Sequence, residues 1–101
     1  MIIHVTNEKE YRELIKEGKV LVDFYASWCG PCRMLGEVIE EIENEVDVKI
    51  LKVDTDEVAF INICKENNVQ SIPTLLYYVD GVLKNKSVGY LPKDRLLNFI
   101  K

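Results

Sequence analysis

The run from Val20 to Ala26 constrains the fold more than any other stretch. Its residues, Val-Leu-Val-Asp-Phe-Tyr-Ala, are apolar on both alternating faces apart from Asp23. A strand with one wet face alternates apolar and polar residues, whereas a continuous apolar run needs cover on both sides. The chain therefore calls for a central strand with helices above and below it. Its 101 residues suffice for one such layered domain, 1–101, with its own core. With 48% apolar and 30% charged residues, the composition is globular and not disordered.

The flanking segments supply the layers. Ile2, Ile3 and Val5 read as a short strand. Asn7 reads as a helix N-cap with Glu10 at the capping-box position, Tyr11, Leu14 and Ile15 follow at helical spacing, and Gly18 supplies the stop. After the central strand, Met34, Leu35, Val38, Ile39, Ile42 and Val46 recur at helical spacing, with Glu37, Glu40, Glu41, Glu43 and Glu45 mainly on a solvated opposite face. Val48–Val53 reads as a third strand. Thr55 and Asp56 are candidate caps for a helix that places Val58, Ile61 and Cys64 on one face, with Phe60 and Ile63 beside it, and ends at Asn67-Asn68. Pro73 opens a fourth strand, Thr74–Val79, at a position where a proline is tolerated. Asp80-Gly81 is a two-residue hairpin signal, so Val82–Val88 should return antiparallel. Pro92 starts a last helix with Leu96, Phe99 and Ile100 on one stripe. Leu91 before it offers no capping side chain. The expected class is α/β: a three-layer α/β/α arrangement on a mixed sheet, in the order β-α-β-α-β-α-β-β-α.

Chemistry concentrates at the end of the central strand, in Trp28-Cys29-Gly30-Pro31-Cys32. Cysteines three apart at a strand-to-helix junction can close a small disulfide ring, and a helix N-terminus favours a thiolate. Cys29 would precede the helix proper and be the more exposed, and Cys32 would lie one turn in. That asymmetry makes Cys29 the nucleophile of disulfide exchange and Cys32 the resolving thiol. Pro31 stiffens the ring and fits the helix start, and Gly30 leaves room for a partner chain. Half of a zinc site is the alternative for such a pair. Zinc needs about four ligands, and only Cys64 and His4 remain, with no second pair, so no metal is expected. Asp23 is an ionisable group inside an apolar strand. Burial should raise its pKa to where it can exchange a proton near neutral pH.

Other signals exclude functions. The formal charge is −4 and no basic block occurs, so nothing marks a nucleic-acid binder. No apolar run approaches the ~18 residues of a membrane span. The Met1–Glu8 start lacks a basic, apolar and small-residue signal pattern, so a cytoplasmic location is expected. Three cysteines in a reducing compartment argue for one working pair plus a lone thiol.

Val22–Cys32, with Lys52-Val53-Asp54, Ser71-Ile72-Pro73-Thr74-Leu75, Asp80-Gly81 and Val88-Gly89, closely resembles the thioredoxin family over essentially the whole chain. The resemblance implies a thioredoxin fold and a general protein-disulfide reductase that needs no cofactor. Its electrons would come from a thioredoxin reductase. Its clients would be disulfide-containing proteins of the peroxiredoxin, ribonucleotide reductase or methionine sulfoxide reductase type. It implies a monomer without nucleic-acid or membrane partners. It makes Ile72–Pro73 a cis peptide lying against the cysteines, and it groups Trp28, Gly30, Pro31, Ile72, Pro73, Val88 and Gly89 into an apolar docking surface. Asp23 becomes the proton relay for Cys32, and Lys52 tunes the Asp23 charge. One departure stands out: Gly36-Glu37 occupies the place where many members carry a small residue and a helix-kinking proline.

Two other functions fit the same fold. An oxidase or isomerase would usually carry a histidine between its cysteines, and Gly30-Pro31 speaks against it. A binding module that uses the fold as a scaffold would keep its activity without the thiols. Cys64 reads as a small core residue, His4 as a surface strand residue, and Met34 and Leu35 as packing.

Overall fold

The computed structural model describes residues 1–101. Its elements are β1 (Ile2–His4), α1 (Glu8–Leu14), β2 (Lys19–Tyr25), α2 (Gly30–Ile42), β3 (Lys49–Asp54), α3 (Ile61–Glu66), β4 (Thr74–Val79), β5 (Val82–Val88) and α4 (Lys93–Phe99), with a single 3-10 turn, Val58–Phe60, leading into α3. The sheet order is β1-β3-β2-β4-β5. β1, β3 and β2 run parallel, and β4 and β5 pair antiparallel to their neighbours. This is the thioredoxin fold, and β2 is its central strand.

Doubly covered β2 divides the core in two. Val20, Val22 and Phe24 join Leu51, Val53 and Leu76 beneath Tyr11 of α1 and Ile63 of α3. Leu21 joins Ile50, Leu75 and Tyr77 beneath Leu35, Val38, Ile39 and Ile42 of α2 and Leu96 of α4. Side chains alternate along β2, so Asp23 lies on the α2 side, opposite Lys52 of β3 and Leu75 of β4. Each fully buried aliphatic or aromatic side chain contributes about 1.5–3 kcal/mol, so the first cluster holds α1 and α3 against the sheet and the second holds α2 and α4.

Local chemistry explains several boundaries. Asn7 caps α1 by accepting the Glu10 N–H at 2.8 Å. The Glu10 carboxylate accepts the Thr6 N–H at 2.8 Å, one residue earlier than the capping box requires. α1 stops at Leu14, not at Gly18, and the Leu14 carbonyl accepts the Lys49 ammonium at 3.0 Å. Gly18, at φ +75°, then turns the chain into β2. α2 runs unbroken through Gly36-Glu37 and ends at Ile42, so Val46 packs from the turn that follows. Asp80 and Gly81 both take positive φ, as a two-residue hairpin turn of this twist requires. Gly18 and Asp80 bond each other twice, Asp80 Oδ1 accepting the Gly18 N–H and the Gly18 carbonyl accepting the Asp80 N–H. β5 is exposed along nearly its whole length. It bulges where Tyr77 faces Asn85 but Tyr78 faces Leu83, skipping Lys84. α4 begins after Pro92 with no side-chain cap, as Leu91-Pro92 implies.

The α3 region departs from expectation. Thr55 and Asp56 do not cap it. The Thr55 hydroxyl donates to the Tyr25 carbonyl at 3.1 Å, and Asp56 accepts from Trp28. The inward face is Phe60, Ile63 and Cys64, whereas Val58 and Ile61 face solvent. The 3-10 turn rotates the chain before α3 begins, so one helical period drawn from Val58 to Cys64 selects the wrong face.

Candidate active site

The thiols sit at the C-terminal end of β2. Cys29 is the N-cap of α2, with Gly30 and Pro31 as its first two residues. The Cys29–Cys32 disulfide is closed, with Cα atoms 5.2 Å apart. The Cys32 N–H points at Cys29 Sγ, 3.2 Å away. A free N–H at a helix start, aimed at sulfur, is the local device that favours a thiolate once the bond is reduced. The two cysteines differ little in exposure, 5% for Cys29 and 2% for Cys32. They differ in surroundings. Cys29 Sγ lies 3.9 Å from the Ile72 carbonyl oxygen, a contact without a proton while the disulfide is closed. Cys32 borders a cleft of about 340 Å³ that also reaches Lys52, Gly36 and Glu40.

The Ile72–Pro73 peptide is cis, and Ile72 packs against Ala26, Cys29 and Cys32. Pro73 is buried, and the Thr74 hydroxyl fastens the preceding turn by donating to the Ser71 carbonyl at 2.6 Å. The Gly89 N–H donates to the Pro73 carbonyl at 2.8 Å, which brings Val88-Gly89 to the same end of the sheet. Gly89 takes φ +98°, where a side chain would be strained. Trp28 is 69% exposed, and its indole N–H donates to Asp56 Oδ2 at 2.9 Å. Three separate segments thus meet at this end of the sheet: 28–32 and 72–73 in contact, and 88–89 bonded to Pro73.

Lys52, on the cleft that Cys32 borders, forms an ion pair with Asp23. Asp23 has no exposed surface, and its Oδ2 accepts the Lys52 ammonium at 2.6 Å. No protein donor reaches its Oδ1. Burial pushes the Asp23 carboxyl above its ordinary range, with the charge and hydrogen bond of Lys52 pulling the other way. Desolvation is the larger influence, which leaves a carboxylate able to take a proton. Lys52 is held from two further sides: its ammonium stands 4.5 Å over the Tyr25 ring and faces Gly36, where an added Cβ would come within 3.8 Å.

Tyr25, Gly36 and Asp56 were not legible as site residues. Tyr25 reads only as strand, Gly36 only as part of the Gly36-Glu37 departure from the helix-kinking pattern, and Asp56 as a cap. The sheet register that brings them in joins residues about thirty positions apart, as in Asp23 opposite Lys52. His4 is exposed on β1, where it pairs in register with Lys52. Cys64 is half-buried, and burial pushes its thiol up, away from the reactive thiolate. No three His, Cys, Asp or Glu side chains are grouped to share a metal ion. No helix is long and apolar enough to cross a membrane. The largest groove, about 680 Å³ between β5 and α4, contains none of the site residues.

Comparison with known proteins gives one answer. The family profile described as Thioredoxin matches residues 2–101. A thioredoxin of Mycoplasmoides gallisepticum is 40% identical over 100 residues, covering 97% of this chain and 98% of that protein. The solved structure of a mutant thioredoxin from Halobacterium salinarum superposes with a TM-score of 0.88 at 32% identity, over 98% of this chain and 87% of that one. A chain from a structure on thiol resolving in yeast mitochondrial 1-Cys peroxiredoxin via glutathione and thioredoxin systems superposes at 0.83 and 37% identity, over 97% and 92%.

Proposed function

The chain belongs to the thioredoxin family and is a thiol-disulfide oxidoreductase with protein-disulfide reductase activity at its Cys29–Cys32 redox disulfide; from that premise we propose that it works as one domain, a general electron donor to client proteins in the cytoplasm, with Cys29 attacking and Cys32 resolving. In the dithiol form the Cys29 thiolate attacks one sulfur of a client disulfide. The client S–S bond breaks, one client thiolate leaves, and a mixed disulfide forms at Cys29. Cys32 then gives its proton to the Asp23 carboxylate and attacks Cys29 Sγ. The mixed disulfide breaks, the second client thiolate leaves, and the Cys29–Cys32 bond closes. Two electrons pass to the client, whose two thiolates take up protons. A thioredoxin reductase restores the dithiol.

The observation that carries this division of labour is the buried Asp23, held on one oxygen by Lys52 and bare on the other, on the sheet face covered by the helix that bears Cys32. Its raised pKa suits a base that accepts a thiol proton near neutral pH. Lys52 sets how strongly it does so. Trp28, Gly30, Pro31, Ile72, Pro73, Val88 and Gly89 form the surface on which the client's main chain lies. Clients of the peroxiredoxin type fit best with the peroxiredoxin–thioredoxin setting of one structural relative. Ribonucleotide reductase and methionine sulfoxide reductase types present the same disulfide chemistry. The working unit is a monomer, with neither a nucleic acid nor a membrane as partner.

Serine variants test this. Cys29→Ser abolishes reduction of insulin disulfides with dithiothreitol as electron source, and Cys32→Ser accumulates a mixed disulfide visible by mass spectrometry. Normal turnover by Cys32→Ser would sink the role assignment. Full activity of a Cys29→Ser, Cys32→Ser double variant in a partner's assay would instead indicate a scaffold.

A further inference from the structure

Val58 and Ile61 have no structural reason to be apolar. Val58 is 78% exposed, more than any other large apolar side chain, and Ile61 is 46% exposed. They stand three positions apart, at the spacing that puts helical residues on one face, while Phe60 and Ile63 fill the core from the other face. Exposed apolar side chains grouped in a patch mark contact surfaces more often than single ones do.

Their position relative to the disulfide gives the patch a direction. Trp28, also exposed, directly precedes Cys29 and bonds Asp56 through its indole. Val58 lies two residues beyond Asp56, at most ~7 Å along the chain. Through Asp56, exposed Trp28 is thus tied to the short segment that carries Val58 and Ile61. From Asp54 to Ile63 the chain holds three acids, Asp54, Asp56 and Glu57, and no cation. That segment is therefore negative, whereas the exposed Arg33 directly follows Cys32.

We propose that Val58 and Ile61, with Trp28, form an apolar shelf that seats an aliphatic side chain of a client protein, flanked in that client by lysine or arginine, while the client's disulfide lies over Cys29. The inference rests on the reductase reading and adds a preference among clients to it. The apolar contact supplies affinity, and the acidic segment selects the basic flank and steers its approach.

The test uses two cyclic disulfide peptides that differ only in a tail beyond the second cysteine, one leucine- and lysine-rich and one serine- and glutamate-rich. A small tail-less aromatic disulfide serves as reference. The native chain is expected to reduce the leucine–lysine peptide with a kcat/KM at least about tenfold above the other, the fold-change of roughly 1.4 kcal/mol. In a Val58→Ser, Ile61→Ser variant that ratio falls to about one, whereas Val82→Ser, Leu83→Ser, exposed apolar positions at the hairpin, leaves it unchanged. A native chain that does not discriminate, or a Val58/Ile61 variant that keeps the full ratio, overturns the proposal. So does a concentration-dependent dimer, seen by sedimentation and removed by the Val58/Ile61 changes, in a chain with no tail preference: a second copy then fills the shelf. Failure of the native chain on the tail-less disulfide refutes the reductase reading itself and is distinguishable from all of these.

Discussion

Replacing Lys52 with methionine isolates the work of the Asp23–Lys52 ion pair. Methionine keeps most of the apolar length and deletes the ammonium 2.6 Å from Asp23 Oδ2. Asp23 has no exposed surface and the Lys52 side chain is 12% exposed, so neither water nor salt screens the pair well. Removing one member of a buried pair costs about 3–5 kcal/mol when the other stays charged. Asp23 has a cheaper alternative, which is to bind a proton. The loss therefore depends on pH. Burial already holds the Asp23 pKa above its ordinary range against the pull of Lys52, and without Lys52 it climbs further. Below the native Asp23 pKa both proteins hold the proton and differ little. Between the native and variant pKa values, only the variant's folded state holds it. In that window the variant loses stability relative to the native chain by up to about 1.36 kcal/mol per pH unit as pH rises. The gap levels off near about 3–5 kcal/mol once Asp23 ionises in both. Guanidinium unfolding of the disulfide form between about pH 5 and 9 measures this, because the paired sulfurs then carry no protons of their own. A stability difference that stays flat across that range would refute the reasoning. It would mean that Lys52 acts by packing and not by charge.

Three further outcomes follow from the same geometry. Asp23→Asn should remove the fall in stability that the native chain shows as pH rises from the unfolded carboxylate pKa through the raised folded one, so the variant is the more stable at neutral pH; in turnover it should slow resolution of the mixed disulfide more than its formation, resolved by stopped-flow. Gly36→Ala should stabilise by about 0.5–1 kcal/mol in thermal unfolding, since α2 gains a better helix former and the new Cβ meets Lys52 Nζ at an ordinary 3.8 Å. Gly81→Ala should cost about 1–2 kcal/mol, because φ is +83° and the new Cβ would sit 3.3 Å from the Lys16 carbonyl oxygen; equal melting temperatures would count against it.

Much of this site was legible because its signals are local. The apolar run Val20–Ala26 demanded a doubly covered strand, and the strand-to-helix junction placed Cys29 and Cys32 without any long-range information. Asp23 was visible as an exception within its strand, and Asp80-Gly81 as a turn needing two positive φ values. What escaped depended on contacts between distant segments. Tyr25 beneath Lys52, and Gly36 facing it, follow from strand register and the height of α2, which no short window encodes. Asp56 was drawn off its expected capping role by the Trp28 indole. The error at Val58 and Ile61 was one of period. A 3-10 turn advances three residues per turn, not 3.6, so a stripe extrapolated across it rotates away from the core.

The two edges of the sheet have a consequence of a different kind. β1 offers only three residues for pairing, and β5, long and exposed, carries Lys84 and Lys86 and is broken by its bulge. Unpaired strand edges invite another molecule's strand, and short length, lysines and bulges each discourage it. Such edges discourage the sheets of neighbouring copies from joining edge to edge, which suits a protein-disulfide reductase that must expose its disulfide without exposing a strand to pair.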